Sequence, residues 1–338
     1  MPASNAIAAA AILGCAGPTL TDEERRFFAA TNPLGFILFA RNIQSPDQVR
    51  ALVADLRASV GRADAPVLID QEGGRVQRLR PPHWRAAPTG MAFANLADQA
   101  LAARLARLNF RLIGAELADL GIDVDCAPVL DVPVPGAHDV IGDRAYGTMP
   151  ARIIALGRAV CDGLLDEGVL PVIKHIPGHG RALVDSHLDL PVVTASMAEL
   201  EASDFAPFKA LADQPWAMTA HVVYTAIDDG APATLSAKVI GEIIRGIIGF
   251  QGVLISDDLS MKALGGSFSE RTIRALDSGC DLVLHCNGDM DEMAEIAQQL
   301  PPMTETARER VALAARRKRR PQPFDRAAAA LEIERALA

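Results

Sequence analysis

Apolar residues along this chain gather into short unbroken runs, neither alternating with polar ones nor extending far. Eight such runs recur: residues 8–16, GFILFAR (35–41), APVLIDQ (65–71), IDVDCAPVL (122–130), LPVIKH (170–175), WAMTAHVV (216–223), GVLISDD (252–258) and DLVLHC (281–286). Continuous apolar character over this length is expected of parallel strands covered on both faces.

The segments between them carry a helical period and helix start signals. In SPDQVRALVADLRASVG, Ser45 is placed to cap, with Pro46 at the first helical position and Asp47 in the first turn. A second helix is expected over 96–121, ending on Gly121, and others start at Ser196 and Ser236 or span 150–168 and 269–279. Eight strands alternating with helices is the pattern of an α/β protein built as a single (β/α)8 TIM barrel. An open doubly wound sheet fits less well, because no G-x-G-x-x-G follows the first strand. No linker rich in Gly, Ser or Pro divides the chain, so residues 1–338 are expected to form one domain. After the break RRPQPFD, the segment of about 322–338 reads as a helix packed outside it.

Composition sharpens this picture. Half of the 338 residues are hydrophobic but only 4% aromatic, which suits helices packed closely on a parallel sheet. A net charge of −9 argues against a nucleic-acid or anionic-membrane partner. The basic run RRKRR (316–320) follows TARERVALAA and reads as the solvated end of a helix. Five scattered cysteines without a C-x-x-C pair point to reduced thiols in a cytoplasm. IAAAAILGCAG imitates a lipoprotein cleavage site at Cys15. No Lys or Arg precedes Arg25, however, so a buried strand is the expected reading. No apolar stretch reaches the ~20 residues of a membrane-spanning helix.

In a barrel of this kind the active site lies at the C-terminal strand ends. Those ends carry Arg41 and Asn42; Asp70, Gln71 and Glu72, then Arg75 and Arg78; Asp131, then Asp143 and Arg144; Lys174 and His175; His221; Asp257 and Asp258; and His285 to Asn287. Any one of these suits a rim salt bridge or cap. A whole ring of them suits a ligand site.

The stretch KHIPGHGRALVDSH (174–187) admits three readings. His175, His179, His187 and Asp185 are metal-ligand types, but Pro177 and Gly178 interrupt the H-x-x-x-H spacing. PGHG resembles an anion cradle, without a helix clearly starting after it. In D-S-H, Asp185 and His187 fall on one side of an extended loop, so the carboxylate fixes the tautomer of an imidazole acid or base. Asp257 closes a strand and is expected to face the barrel mouth as a nucleophile, with Asp258 turned towards the helix layer. A rigid carboxylate opposite a proton donor suits displacement of a sugar leaving group with retention. Asp70, Arg78, Arg144, Lys174 and His175 suit a polyhydroxylated ligand.

LIDQEGGRVQRL (68–79), GDRAYG (142–147), VIKHIPGHGRALVDSHLDLP (172–191), MTAHVVY (218–224) and GVLISDDLSM (252–261) closely resemble glycoside hydrolase family 3. Within it they resemble the single-domain bacterial β-N-acetylglucosaminidase branch, and the likeness runs through nearly the whole chain in order. The resemblance implies a TIM barrel removing non-reducing terminal N-acetylglucosamine from muropeptides, such as N-acetylglucosaminyl-anhydromuropeptides, in cytoplasmic peptidoglycan recycling. It implies Asp257 as nucleophile, His187 as acid/base and Asp185 as its partner. Asp70, Arg78, Arg144, Lys174 and His175 match the sugar-binding positions. No cofactor or metal is implied, and a monomer is expected. Many relatives draw their acid/base from a second domain; here the proton donor is expected from the barrel itself. Ile176 stands where Phe is usual and Thr225 where Pro is common, which is expected to alter the pocket wall. A phosphorylase using the same residues, or a metal-dependent hydrolase on the same barrel, are the alternative functions. The glycines beside His179 suggest a mobile loop, and His179 itself has no assigned role.

Overall fold

The computed structural model describes residues 7–186 and 188–338. Eight parallel strands close into a barrel: β1 (Ala9–Gly14), β2 (Pro33–Leu38), β3 (Val67–Ile69), β4 (Val124–Asp125), β5 (Leu170–Ile176), β6 (Trp216–Thr219), β7 (Val253–Asp258) and β8 (Leu282–His285). Each pairs with the next in sequence, and β8 returns to β1 through Ala11–Val283 and Leu13–His285. This is the TIM barrel expected from the eight apolar runs.

Alternate residues of each strand serve two different layers. Ile12, Ile37, Leu68, Val172, Met218 and Ile255 fill the barrel interior. Their neighbours Leu13, Leu38, Ile69, Ile173, Ala217 and Leu254 pack outward under the helices. That two-sided burial is why the strands read as unbroken apolar runs, each large side chain contributing about 1.5–3 kcal/mol.

The fourth run is the one the ladder shortens. Pro128 has no N–H to donate, so regular pairing stops at Asp125. The chain still runs beside β5: Val172 N donates to Ala127 O and Lys174 N to Pro128 O, both at 3.1 Å, and Leu130 N donates to Lys174 O at 2.7 Å.

Helix starts follow the capping residues. Ser45 accepts from Gln48 N, Asp98 from Ala100 N and Leu101 N, and Ser196 forms a reciprocal box with Glu199. The segment after Ser196 is two short helices, Met197–Ala202 and Phe205–Ala210, because Pro207 cannot sit inside one continuous helix. The segment after Ser236 winds more widely than expected. Val239–Ile247 is π-helical, with Ile248 N bonded five residues back to Ile243 O.

The basic run lies beyond the helix Glu305–Ala315 and is exposed yet paired rather than merely solvated. Lys318 reaches Asp123 at 2.7 Å, and Arg319 reaches Asp162 and Asp166 at 2.8 and 2.7 Å. The last helix, Arg326–Leu337, packs on Gln99–Ala118, burying Ala329 and Ile333. All five cysteines are buried and free. Among the described residues no helix is long and apolar enough to cross a membrane.

Candidate active site

At the C-terminal mouth of the barrel, charged side chains from three successive strand ends form one continuous chain. Arg78 bonds Asp70 at 3.0 Å, and Asp70 accepts from Lys174 Nζ at 2.8 Å. Lys174 also reaches Glu72 at 2.6 Å, and Glu72 takes both guanidinium arms of Arg144 at 2.8 Å. Lys174 is only 2% exposed and Glu72 5%. Such charges persist in the interior only because each is paired.

Their protonation follows from the pairing. Burial acts to raise the Asp70 carboxyl, but Lys174 and Arg78 outweigh it and hold it well below the usual carboxylate range. Burial opposes ionisation of Glu72 too, yet Arg144 and Lys174 keep it at about 2. Burial disfavours the Lys174 ammonium, and Asp70 with Glu72 more than restores it, raising its pKa. Beneath them, burial pushes the Asp125 carboxyl well above its usual range.

His175 is set by Asp131, which is fully buried. Asp131 Oδ2 lies 2.7 Å from His175 Nδ1, and its Oδ1 accepts from the backbone N–H of His175 at 3.2 Å and of His179 at 2.6 Å. Nδ1 being engaged, Nε2 is the ring nitrogen left for the cavity.

Two ladder irregularities bring consecutive residues to the same side. The register of β5 against β6 shifts between Lys174 and Ile176, where the Lys174–His175 peptide is cis. The register of β7 against β8 shifts between Ile255 and Asp258. Regular strands send neighbours to opposite faces, whereas a bulge re-aims one of them. Lys174 and His175 therefore both line the cavity, and so do Asp257 and Asp258. The expectation that Asp258 turns into the helix layer is corrected on this point. Its carboxylate accepts from Ser260 N, Ser260 Oγ and Cys286 N at 3.0, 2.6 and 3.1 Å. Asp257 Oδ1 accepts from Asp258 N at 2.8 Å. His221, fully buried, braces the strand end through Nε2 on Asp258 O at 3.0 Å.

The histidine loop leaves β5 and is pinned against the loop after β4. Val134 N donates to Gly180 O at 3.3 Å and His138 N to Ala182 O at 2.8 Å; Tyr224 Oη donates to Gly178 O. A Cβ on Gly180 would stand 2.1 Å from Val132 O. This glycine is required by close backbone approach. Further along, Leu188 N and Asp189 N both donate to half-buried Asp185's carbonyl. His187 lies outside the described residues.

These groups surround a cavity of about 280 Å³, at the small end of ligand pockets and on the scale of one sugar ring. Asp70, Arg78, Arg144, Lys174, His175 and Asp257 all line it. Apolar wall comes from Phe39, over which the Arg78 guanidinium lies at 4.9 Å, and from Ile141, Met218 and Met261. Ser186, beside Asp185, also lines it. Other strand-end residues serve the scaffold: Arg41 and Asn42 hold Cys15 O, while His285 and Asn287 hold Glu292. Ile176 is fully buried in the outer core and Thr225 exposed, and neither forms the cavity wall expected of it. Glu72 and Asp131 were legible in the sequence only as strand-end residues. Their signal was position: each directly follows an apolar run. Among the described residues no group of three or more His, Cys, Asp or Glu is placed to hold a metal ion.

Residues 12–319 match the glycosyl hydrolase family 3 N-terminal domain. The chain belongs to glycosyl hydrolase family 3. Its relatives in this family include a β-hexosaminidase of Alkalilimnicola ehrlichii, 42% identical over 82% of this chain and 80% of that one. Another, from Methylococcus capsulatus, is 41% identical over 80% of each chain. Among solved structures, NagZ from Neisseria gonorrhoeae in complex with N-trifluoroacetyl-D-glucosamine aligns with a TM-score of 0.84. It is 31% identical, and the alignment covers 98% of this chain and 97% of that one. As a family 3 member the protein is a glycosidase, and its cavity at the C-terminal mouth is where a barrel glycosidase works.

Proposed function

We propose that the protein is a retaining β-N-acetylglucosaminidase that removes non-reducing terminal N-acetylglucosamine from muropeptides during cytoplasmic peptidoglycan recycling. One observation carries this reading above the others. Asp257, at the end of β7, lines the same cavity as the Arg78–Asp70–Lys174–Glu72–Arg144 chain and Ser186, the residue between Asp185 and His187. The β-hexosaminidase relatives and the NagZ neighbour crystallised with an N-acylglucosamine analogue support the sugar.

In this reading Asp257 attacks C1 of the sugar. The C1–O bond breaks with its electron pair on the glycosidic oxygen, which takes a proton from the His187 imidazolium. Water then attacks C1 of the glycosyl-enzyme and gives a proton to the neutral imidazole, and Asp257 leaves with overall retention. Asp185 keeps the imidazole oriented and favours its charged form. Asp70, Arg78, Arg144, Lys174 and His175 hold the sugar, offering ionised acceptors and donors to its hydroxyls.

The test is turnover of N-acetylglucosaminyl-anhydromuramyl substrates beside simple glucosides, with the first-formed anomer followed by NMR. Preference for the N-acetylglucosaminyl substrate and initial release of the β-anomer are expected. Preference for glucosides, or an α-anomer formed first, overturns the reading. Repeating the assay in phosphate separates hydrolysis from phosphorolysis, since only the latter yields a sugar 1-phosphate.

A further inference from the structure

The mechanism above leaves His179 unused, although it is only 3% exposed and lies beside the reacting groups. Its backbone N–H is bonded to Asp131, and its ring meets that of His175 edge-on with centroids 5.7 Å apart. The ring's Nε2 lies 3.0 Å from Ser186 Oγ.

Ser186 is an unusual residue for its segment. It is 3% exposed, whereas Leu183 and Leu188 on either side are 67% and 69% exposed. The segment is fastened inward at this serine: its hydroxyl meets His179, and its carbonyl accepts from Ala263 N at 3.2 Å in the loop after β7. One serine thus joins the loop to the Asp131–His175 unit on one side and to the strand carrying Asp257 on the other.

We propose that His179 is a positioning residue for the proton-handling segment 185–187, acting through the Ser186 hydroxyl. Because Ser186 stands between Asp185 and His187, fixing its side chain fixes the backbone from which both neighbours project. The proposal rests on the acid/base reading of His187. His179 itself is unsuited to proton transfer. Burial, then the nearby His175, lowers its pKa to about 4, so it is neutral at working pH. The tie is a neutral hydrogen bond with a geometric role.

The test compares Ser186→Ala, His179→Phe, His179→Gln and the double variant Ser186→Ala/His179→Phe by kcat/KM, which reports the glycosylation step. Substrates are an alkyl N-acetylglucosaminide, whose leaving group needs a proton, and a dinitrophenyl one, whose leaving group does not. Loss of one tie is expected to cost roughly three- to tenfold on the alkyl substrate and under about twofold on the activated one. The double variant should be no worse than the worse single, and His179→Gln, whose amide reaches the hydroxyl, should recover part of the loss. Faster amide hydrogen exchange over 183–190 should accompany both single losses. Equal losses on the two substrates, or losses that multiply in the double variant, overturn the positioning role. His187→Ala serves as reference. If it loses both substrates equally, the acid/base reading falls and the kinetic role of His179 with it. Unchanged exchange in Ser186→Ala overturns the tie itself.

Discussion

Asp131 Oδ2 stands 2.7 Å from His175 Nδ1 in a place where Asp131 has no solvent exposure. Burial alone would raise this carboxyl, but His175 outweighs it and the net shift is downward. Three donors converge on one carboxylate, two of them backbone N–H groups that fix where the loop leaves β5. Asp131→Asn keeps the volume and removes the charge. It is expected to lower kcat/KM roughly 10- to 100-fold, the range of one or two charge-assisted hydrogen bonds. Much of the change should appear in KM, because His175 lines the cavity and is proposed to hold the sugar. Unaltered kcat/KM would show that His175 is oriented by other means.

The buried charge chain predicts how the protein meets acid. Asp70 and Glu72 both lie below their ordinary range, Glu72 at about 2 against an ordinary 4.5. A carboxyl with a depressed pKa binds fewer protons folded than unfolded, so its contribution is present above about 4.5 and is lost as pH falls towards 2. For Glu72 the contribution is on the order of 3 kcal/mol. Urea unfolding at pH 5 and pH 3 should show a marked fall in stability. Arg144→Gln removes the strongest charge acting on Glu72 and should make that fall shallower. A slope unchanged by the substitution would contradict the assignment.

How far the site was legible depends on what each feature rests on. The barrel was legible because burial on both faces leaves a direct mark in composition, run by run. Strand-end polarity was legible too, and it gathered Asp70, Arg78, Arg144, Lys174, His175 and Asp257, which do line one cavity. Side-chain direction at Asp258 was not, because it depends on a register shift against β8 that no local pattern encodes. Ile176 misled for the same reason: beyond the shifted register of β5 it packs outward. The tie from His179 to Ser186 spans seven residues of irregular loop, so neither a strand nor a helix period announces it.

The glycine at 180 offers a test of whether the histidine loop is built for freedom or for contact. A methyl there would meet Val132 O at 2.1 Å, far inside any real contact. Gly180→Ala must therefore push the loop away from the β4 loop, breaking the Val134 N–Gly180 O bond. Such overpacking costs about 1–3 kcal/mol, and a fall in Tm with reduced kcat/KM is expected. If the residue served only mobility, alanine would stiffen the loop and leave Tm unchanged or higher.

Asp257 allows the most direct trial of the proposed chemistry. Removing its carboxylate as Asp257→Gly takes away the proposed nucleophile and leaves the Asp258 carboxylate tied to Ser260 and Cys286 N, so Asp258 is poorly placed to substitute. Turnover of a dinitrophenyl N-acetylglucosaminide should fall to background. A small external anion such as azide fits the space vacated and attacks C1 from the face the carboxylate used. Displacing the phenolate in a single step, it should give the α-glycosyl azide, with inversion. Recovery of rate with rising azide and an α-configured product is the expected result. A β-configured azide would show that a covalent intermediate still forms, which would remove Asp257 from the nucleophile's role.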